Sequence, residues 1–294
     1  MSENSQIGLK DRVVVVTGGA RGMGRAYVDA FLAEGAKVVA TDRSWDGAPP
    51  IDPIYQGNHL STIMDVTDDV QIDAAYQATL ERFGTVDVLI NNAALRQRDL
   101  FPPTGRVTTL ETKDSDWQKS FGVNLFGTLK VTRRFIQPMI AKQRGSIVNA
   151  VSSGILHHSQ GGSYAALRPN SREMPDMSSK AALATLSFYL ADDMREHNVA
   201  VNIIIPGHTR TTGFDEQNRA RLARGGKPGP LPLRADHVVP LVLHLASRDA
   251  SVLTGRMYEA MRWNMEHGLG GQEAWADTSF TYESLMPGAP SMAS

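Results

Sequence analysis

Val13-Val14-Val15-Val16-Thr17-Gly18-Gly19-Ala20-Arg21-Gly22-Met23-Gly24 is the stretch on which the reading of this chain turns. Four β-branched residues in a row suit a strand buried on both faces, as in a parallel sheet covered by helices. The glycines that follow open into a helical stretch, Gly24–Glu34. A strand, a glycine turn and a helix in that order let backbone N–H groups approach a pyrophosphate, whose charge the helix N-terminus stabilises. A second strand, Lys37–Thr41, runs to Asp42, 18 positions beyond Gly24. A carboxylate there can accept hydrogen bonds from ribose hydroxyls and repels a 2′-phosphate, which points to NAD rather than NADP, although Arg21 and Arg43 could tolerate a phosphate.

Outward from this unit the alternation continues. Val86–Ile90, Ser146–Ala150 and Val199–Ile204 read as buried strands, with Ser61–Met64 and Leu253–Tyr258 as weaker ones. Helices are expected at Val70–Phe83, Ser115–Lys142 (kinked or ended near Pro138), Ser178–Glu196 and His237–Ser247. The expected fold is a doubly wound α/β domain of the Rossmann type, a mostly parallel sheet of about seven strands with helices on both faces. One domain is expected, its core spanning residues 8–260. The tail, 264–294, is read as an arm at a subunit interface or a frayed end. Stretches 44–57, 96–112, 167–175 and 225–232 break the alternation and read as loops, some placed to cover a ligand.

The 294 residues are 41% hydrophobic and 21% charged, with a formal net charge of −1. That balance does not point to nucleic acid or an anionic membrane surface. With no cysteine, thiol catalysis, disulfides and thiolate metal sites are excluded. The N-terminus has no basic or apolar signal region, and no apolar run reaches membrane-spanning length. The expectation is a soluble cytoplasmic protein acting on a small molecule. His157, His158 and His208 do not have the spacing of a metal ligand set, so no metal is expected.

The spacing Thr17-Gly18-x-x-x-Gly22-x-Gly24 resembles that of the short-chain dehydrogenase/reductase family, in its ordinary single-domain subgroup. The similarity covers roughly residues 8 to 260. Asp65-Val66 resembles the family's adenine-contacting pair, and Asn91-Asn92-Ala93-Ala94 its Asn-Asn-Ala-Gly turn. Pro206-Gly207-His208-Thr209-Arg210-Thr211 is similar to its Pro-Gly segment. The resemblance implies a dinucleotide bordered by Gly18, Arg21, Gly22, Met23, Gly24, Asp42, Asp65, Val66, Asn92, Ala93, Lys180, Pro206, Gly207, Thr209 and Thr211. It also implies a homo-oligomer, dimer or tetramer. Met261-Arg262-Trp263 departs from the family's Asp-Gly-Gly, so Trp263 and Trp275 could meet a neighbouring subunit.

In that family a Tyr exchanges a proton with the substrate oxygen, aided by a Lys four residues on, a Ser and an Asn. An unperturbed phenol titrates near ~10, so a nearby ammonium is needed to stabilise the phenolate. Asn124, Ser153 and Lys180 match the Asn, Ser and Lys. The tyrosine does not: four residues before Lys180 stands Asp176. Tyr164, in Ser163-Tyr164-Ala165-Ala166, looks like the family's tyrosine but has Arg168 four residues on. Either Tyr164 reaches the site from outside the helix, or Asp176 fills the slot; Asp176 also suits a helix N-cap. The function implied is NAD-dependent interconversion of a secondary alcohol and a ketone, with Asn124, Ser153, Tyr164 and Lys180 as catalytic residues; the length of the extra loops points to a bulky or cyclic substrate. The alternative is a non-catalytic NAD-binding sensor of the same fold.

Overall fold

A computed structural model of the chain describes residues 8–96, 100, 109–158, 174–210, 212–223 and 231–285. Seven strands form one sheet: β1 Val13–Thr17, β2 Lys37–Asp42, β3 His59–Ile63, β4 Val88–Asn91, β5 Gly145–Ala150, β6 Val199–Ile205 and β7 Met257–Glu259. Their order is β3-β2-β1-β4-β5-β6-β7, and every neighbouring pair is parallel. The helices are α1 Gly22–Ala33, α2 Asp69–Phe83, α3 Asp114–Phe121, α4 Thr128–Phe135, α5 Gln137–Ala141, α6 Gly154–His158, α7 Met174–Asp193, α8 Thr212–Ala223, α9 Val239–Ala246, α10 Ala260–Glu266 and α11 Gln272–Trp275.

The valine run divides by parity, because successive strand side chains point to opposite faces. Val14 and Val16 pack with Tyr27 and Phe31 of α1 and with Leu241 and Leu245 of α9. Val15 packs on the other face with Ile72 and Tyr76 of α2 and with Val131 and Phe135 of α4. Ile203 and Ile205 of β6 meet Leu183 of α7. The edge strands β3 and β7 are the least buried, which is why their sequence signal is weak and their boundaries shift from the expected ones.

Expectation and structure part in several places. The single helix expected over Ser115–Lys142 is α3, a wide π-helical turn at Gly122–Gly127, then α4 and α5. Pro138 falls in the first turn of α5, where its missing N–H breaks no intrahelical bond. The expected helix His237–Ser247 is a 3₁₀ turn, Ala235–Val238, followed by α9. Helix α7 includes Met174 and Pro175, so Asp176 lies inside its first turn and not at an N-cap. Stretch 44–57 is a loop with one 3₁₀ turn, Pro53–Tyr55. Within stretch 96–112, the described part contains the 3₁₀ turn Thr109–Glu111.

The described part of the tail folds back on its own chain. Trp263 is buried and stacks on His267 with ring centroids 3.9 Å apart. Asp277 accepts from Arg210 Nη1 at 3.0 Å, and Phe280 meets Phe214 edge to face. Trp275 Nε1 donates to the Leu269 carbonyl at 3.0 Å, and Arg234 lies over its ring. Among the described residues no helix is long and apolar enough to cross a membrane. No cluster of three or more metal-ligating side chains occurs among them.

Candidate active site

The strand order reverses between β1 and β4, which opens a crevice beyond their carboxyl ends. The glycine turn lies there. Gly18 and Gly22 have positive φ, +68° and +56°, a region L side chains rarely adopt. A Cβ on Gly24 would stand 1.9 Å from the Gly18 carbonyl oxygen, so only glycine lets α1 start this close to β1. Helix α1 begins with no side-chain cap and no acid in its first turn, which leaves its positive end suited to an anion. At the tip of β2, Asp42 accepts from Ala20 N at 3.1 Å and from Ser44 N at 3.4 Å. These features fit a dinucleotide with its pyrophosphate over the turn and its ribose toward Asp42.

A hydroxyl not singled out in the sequence organises this crevice. Thr17 Oγ1 accepts from both Asn92 N and Ala93 N at 3.0 Å. Asn92 Nδ2 in turn donates to the Thr17 and Gly18 carbonyls at 3.0 and 3.2 Å. The end of β4 is thereby tied to the glycine turn, and the Asn92 side chain is spent on that tie. Asp65 Oδ1 accepts from Thr67 N and Oγ1, fixing the turn after β3. Val66 packs where a Cβ on Gly127 would fall 2.8 Å from its Cγ2. Across the crevice, Thr209 Oγ1 lies 3.5 Å from Met23 Sδ. The segment bearing Pro206, Gly207 and Thr209 is held from behind by buried His237, whose Nε2 is 2.5 Å from the Pro206 carbonyl oxygen and whose Nδ1 is 2.6 Å from that of Arg234. Thr211 and Tyr164 lie outside the described residues.

The other expected residues converge at the end of β5. Asn124 sits in the π-helical turn, fully buried. Its amide pairs reciprocally with the backbone of Leu95: Leu95 N donates to Oδ1 at 2.8 Å and Nδ2 donates to the Leu95 carbonyl at 2.9 Å. Nδ2 also faces Ser179 Oγ at 2.9 Å and Asp176 Oδ1 at 3.2 Å. Two amide hydrogens thus serve three acceptors. Ser179 Oγ donates onward to the Asp176 carbonyl at 2.6 Å. Thr128 Oγ1 donates to the Asn124 carbonyl, taking up an acceptor in the widened turn.

Lys180 Nζ is buried and donates to the Ala150 carbonyl, the last residue of β5, at 2.9 Å. Burial pushes its ammonium down to about 8; Asp176 opposes that fall and Arg96 adds to it. Ser153 follows β5 in the turn that opens α6. Ser152 is used locally, its Oγ accepting from Gly154 N at 3.3 Å. A Cβ on Gly154 would fall 2.2 Å from Met177 Sδ, so the Ser153-Gly154 turn lies directly against the turn of α7 that carries Asp176. Asn124, Ser153, Asp176 and Lys180 are therefore brought together beside the glycine-turn crevice.

The sequence profile of the short chain dehydrogenase family matches residues 12–222. The chain belongs to that family. Among its short-chain dehydrogenase relatives, fluoren-9-ol dehydrogenase of Terrabacter sp. (strain DBF63) is 51% identical over 268 residues, 90% of this chain and 75% of that protein. The 3-oxoacyl-[acyl-carrier-protein] reductase FabG of Escherichia coli (strain K12) is 27% identical, over 84% of this chain and 94% of that one. A solved short-chain dehydrogenase/reductase structure from Burkholderia xenovorans superposes with a TM-score of 0.69 at 24% identity, over 85% of this chain and 95% of that one. As a short-chain dehydrogenase the chain is an oxidoreductase that uses a nicotinamide dinucleotide.

Proposed function

We propose that this enzyme oxidises a cyclic secondary alcohol to its ketone, reversibly, with NAD as the hydride acceptor. The observation that carries the reading is that Asn124 is tied to helix α7 and Lys180 of that helix to the end of β5, where the turn bearing Ser153 begins. The 51% identical relative is named for fluoren-9-ol, a polycyclic secondary alcohol, which supports a ring substrate. NAD rather than NADP rests on the Asp42 carboxylate braced at the tip of β2.

When bound, the nicotinamide supplies the site that takes up or returns a hydride. The chain's own residues handle the proton. Ser153 orients the substrate oxygen by a hydrogen bond from its hydroxyl. Tyr164 takes the hydroxyl proton during oxidation and returns it during reduction. Lys180, as an ammonium, lowers the phenol's affinity for that proton and binds the nicotinamide ribose. Asn124 holds the first turn of α7 against the loop after β4, which keeps Lys180 in register with β5.

The test is turnover of fluoren-9-ol and a panel of cyclic and aryl secondary alcohols, with NAD and with NADP, by wild type and Tyr164→Phe. Wild-type oxidation with NAD is expected, reduced by about 10²- to 10⁴-fold in the variant, the usual worth of a positioned acid or base. An unchanged rate in Tyr164→Phe would remove Tyr164 from the mechanism. NAD binding with no turnover of any alcohol would favour a sensor.

A further inference from the structure

Asp176 stands one helical turn before Lys180, on the same face of α7. Both side chains are almost wholly buried, at 5% and 6% exposure. Burying an ionised carboxylate away from water is costly unless it is paired and hydrogen-bonded. Its Oδ1 accepts from Asn124 Nδ2 at 3.2 Å. The Asp176 backbone carbonyl accepts from Ser179 Oγ, which Asn124 also contacts. The carboxylate is thus fixed by the amide that clamps α7 to the loop after β4, within a cluster largely shut off from solvent.

Lys180 is in an unsatisfied electrostatic position without it. Its neutral partner is the Ala150 carbonyl of β5. Among the described residues, the charges that act on it are Asp176 from its own helix and Arg96 from the loop after β4. Arg96 is of like sign and opposes an ammonium. Asp176 is of opposite sign and supports one.

We propose that Asp176 is a positioning residue that keeps Lys180 charged: its carboxylate, oriented by Asn124, is the counter-ion that holds the buried Lys180 side chain as an ammonium at neutral pH. This rests on the assignment of Lys180 to the proton-handling site and deepens it. A chain with a carboxylate in this place relies on Asp176 for the charge that Lys180 lends to the substrate's proton acceptor. Asp176 accordingly need not touch substrate.

The test is an NMR titration of the lysine ¹³Cε resonances in the full-length, cofactor-free protein, with Lys180→Arg identifying the Lys180 signal. In wild type the Lys180 midpoint is expected near the value of about 8 set by its surroundings. Asp176→Asn keeps the shape and the oxygen facing Asn124 while removing the charge. In that variant the midpoint should fall by about one pH unit or more, the scale of an opposite charge at close range. Asp176→Ser is the second neutral variant should the first not fold, and Asp176→Glu should restore the wild-type midpoint. The pH profile of turnover measured alongside should move with the Lys180 midpoint, so that the rate at pH 7 falls about twofold or more in the neutral variants and recovers in Asp176→Glu. A Lys180 midpoint that does not move in a folded neutral variant overturns the inference. A wild type that oxidises no alcohol while the midpoint still shifts overturns the proposed function and leaves this inference standing.

Discussion

Asp42 is the residue on which the proposed choice of dinucleotide rests. Strand β2 delivers it to the crevice, and the N–H groups of Ala20 and Ser44 hold both carboxylate oxygens. Held this way it would set a negative charge against a ribose 2′-phosphate, which is the basis of the proposed preference for NAD. Exposed Arg21 and Arg43 flank it, so a phosphate would find cations once the carboxylate is gone. Asp42→Ala should therefore lower the ratio of kcat/KM for NAD to that for NADP at least tenfold, equivalent to about 1.4 kcal/mol. Steady-state kinetics with both dinucleotides at saturating alcohol checks it. A ratio that does not move would mean that selectivity lies elsewhere in the crevice. The place of Asp42 at the tip of β2 was legible in the sequence because the cue is positional, an acid after the second strand. Asp176 was less so: Pro175-Asp176 before a helical run looks like a cap, and only the burial of the first turn of α7 shows it to be interior.

At the scale of elements, the positions that matter most are interruptions. The π-helical turn at Gly122–Gly127 widens the helix where Asn124 must reach Leu95 and α7 together. Residues that build a π turn are compositionally those that build an α-helix, so the sequence pattern of 115–142 reads as one continuous helix. The strands were readable for the opposite reason: buried parallel strands favour near-continuous apolar runs, as in Val13–Val16 and, interrupted only by Asn202, Val199–Ile204. What sequence could not disclose is contact across distance, such as Thr17 holding Asn92 or His237 holding Pro206. His237 presents both ring nitrogens to carbonyl oxygens, which favours the doubly protonated ring, yet burial is the stronger influence and lowers its pKa. Replacing it frees the segment of Pro206, Gly207 and Thr209 and leaves a cavity. His237→Ala should destabilise the protein by about 2–4 kcal/mol, from the lost hydrogen bonds and the void. It should also weaken NAD binding by about tenfold, because the segment behind the crevice is no longer braced. Denaturant unfolding and calorimetric titration with NAD separate the two effects. A destabilised variant with unaltered NAD affinity would show that the tie serves stability alone.

Among the described residues, desolvation moves three histidines in one direction. Burial lowers the pKa values of His59, His237 and His244 below that of a free imidazole. A histidine lowered in the folded state binds fewer protons there than in the unfolded chain, so its contribution to stability is complete above about pH 6.5 and is lost as pH falls through its folded value. Lys180 extends the same trend upward. Its folded value of about 8 lies below the ordinary 10.5, so between those two values the unfolded chain holds the extra proton and stability rises with pH. One proton of difference contributes at most about 1.4 kcal/mol per pH unit. The lowered carboxyls of Asp249 and Asp277 act only near and below 3.8. The protein should therefore be weakened already at pH 5.5, before its carboxylates protonate, and should still gain stability from pH 8 to 9.5. Urea unfolding at pH 5.5, 7, 8 and 9.5 measures this, with Lys180→Met as the discriminating variant. The alkaline rise should flatten in Lys180→Met while the acid loss persists, since the histidines are untouched. If wild type and variant share one slope above pH 8, the rise belongs to other groups and Lys180 does not carry the strained charge that its place beside β5 imposes.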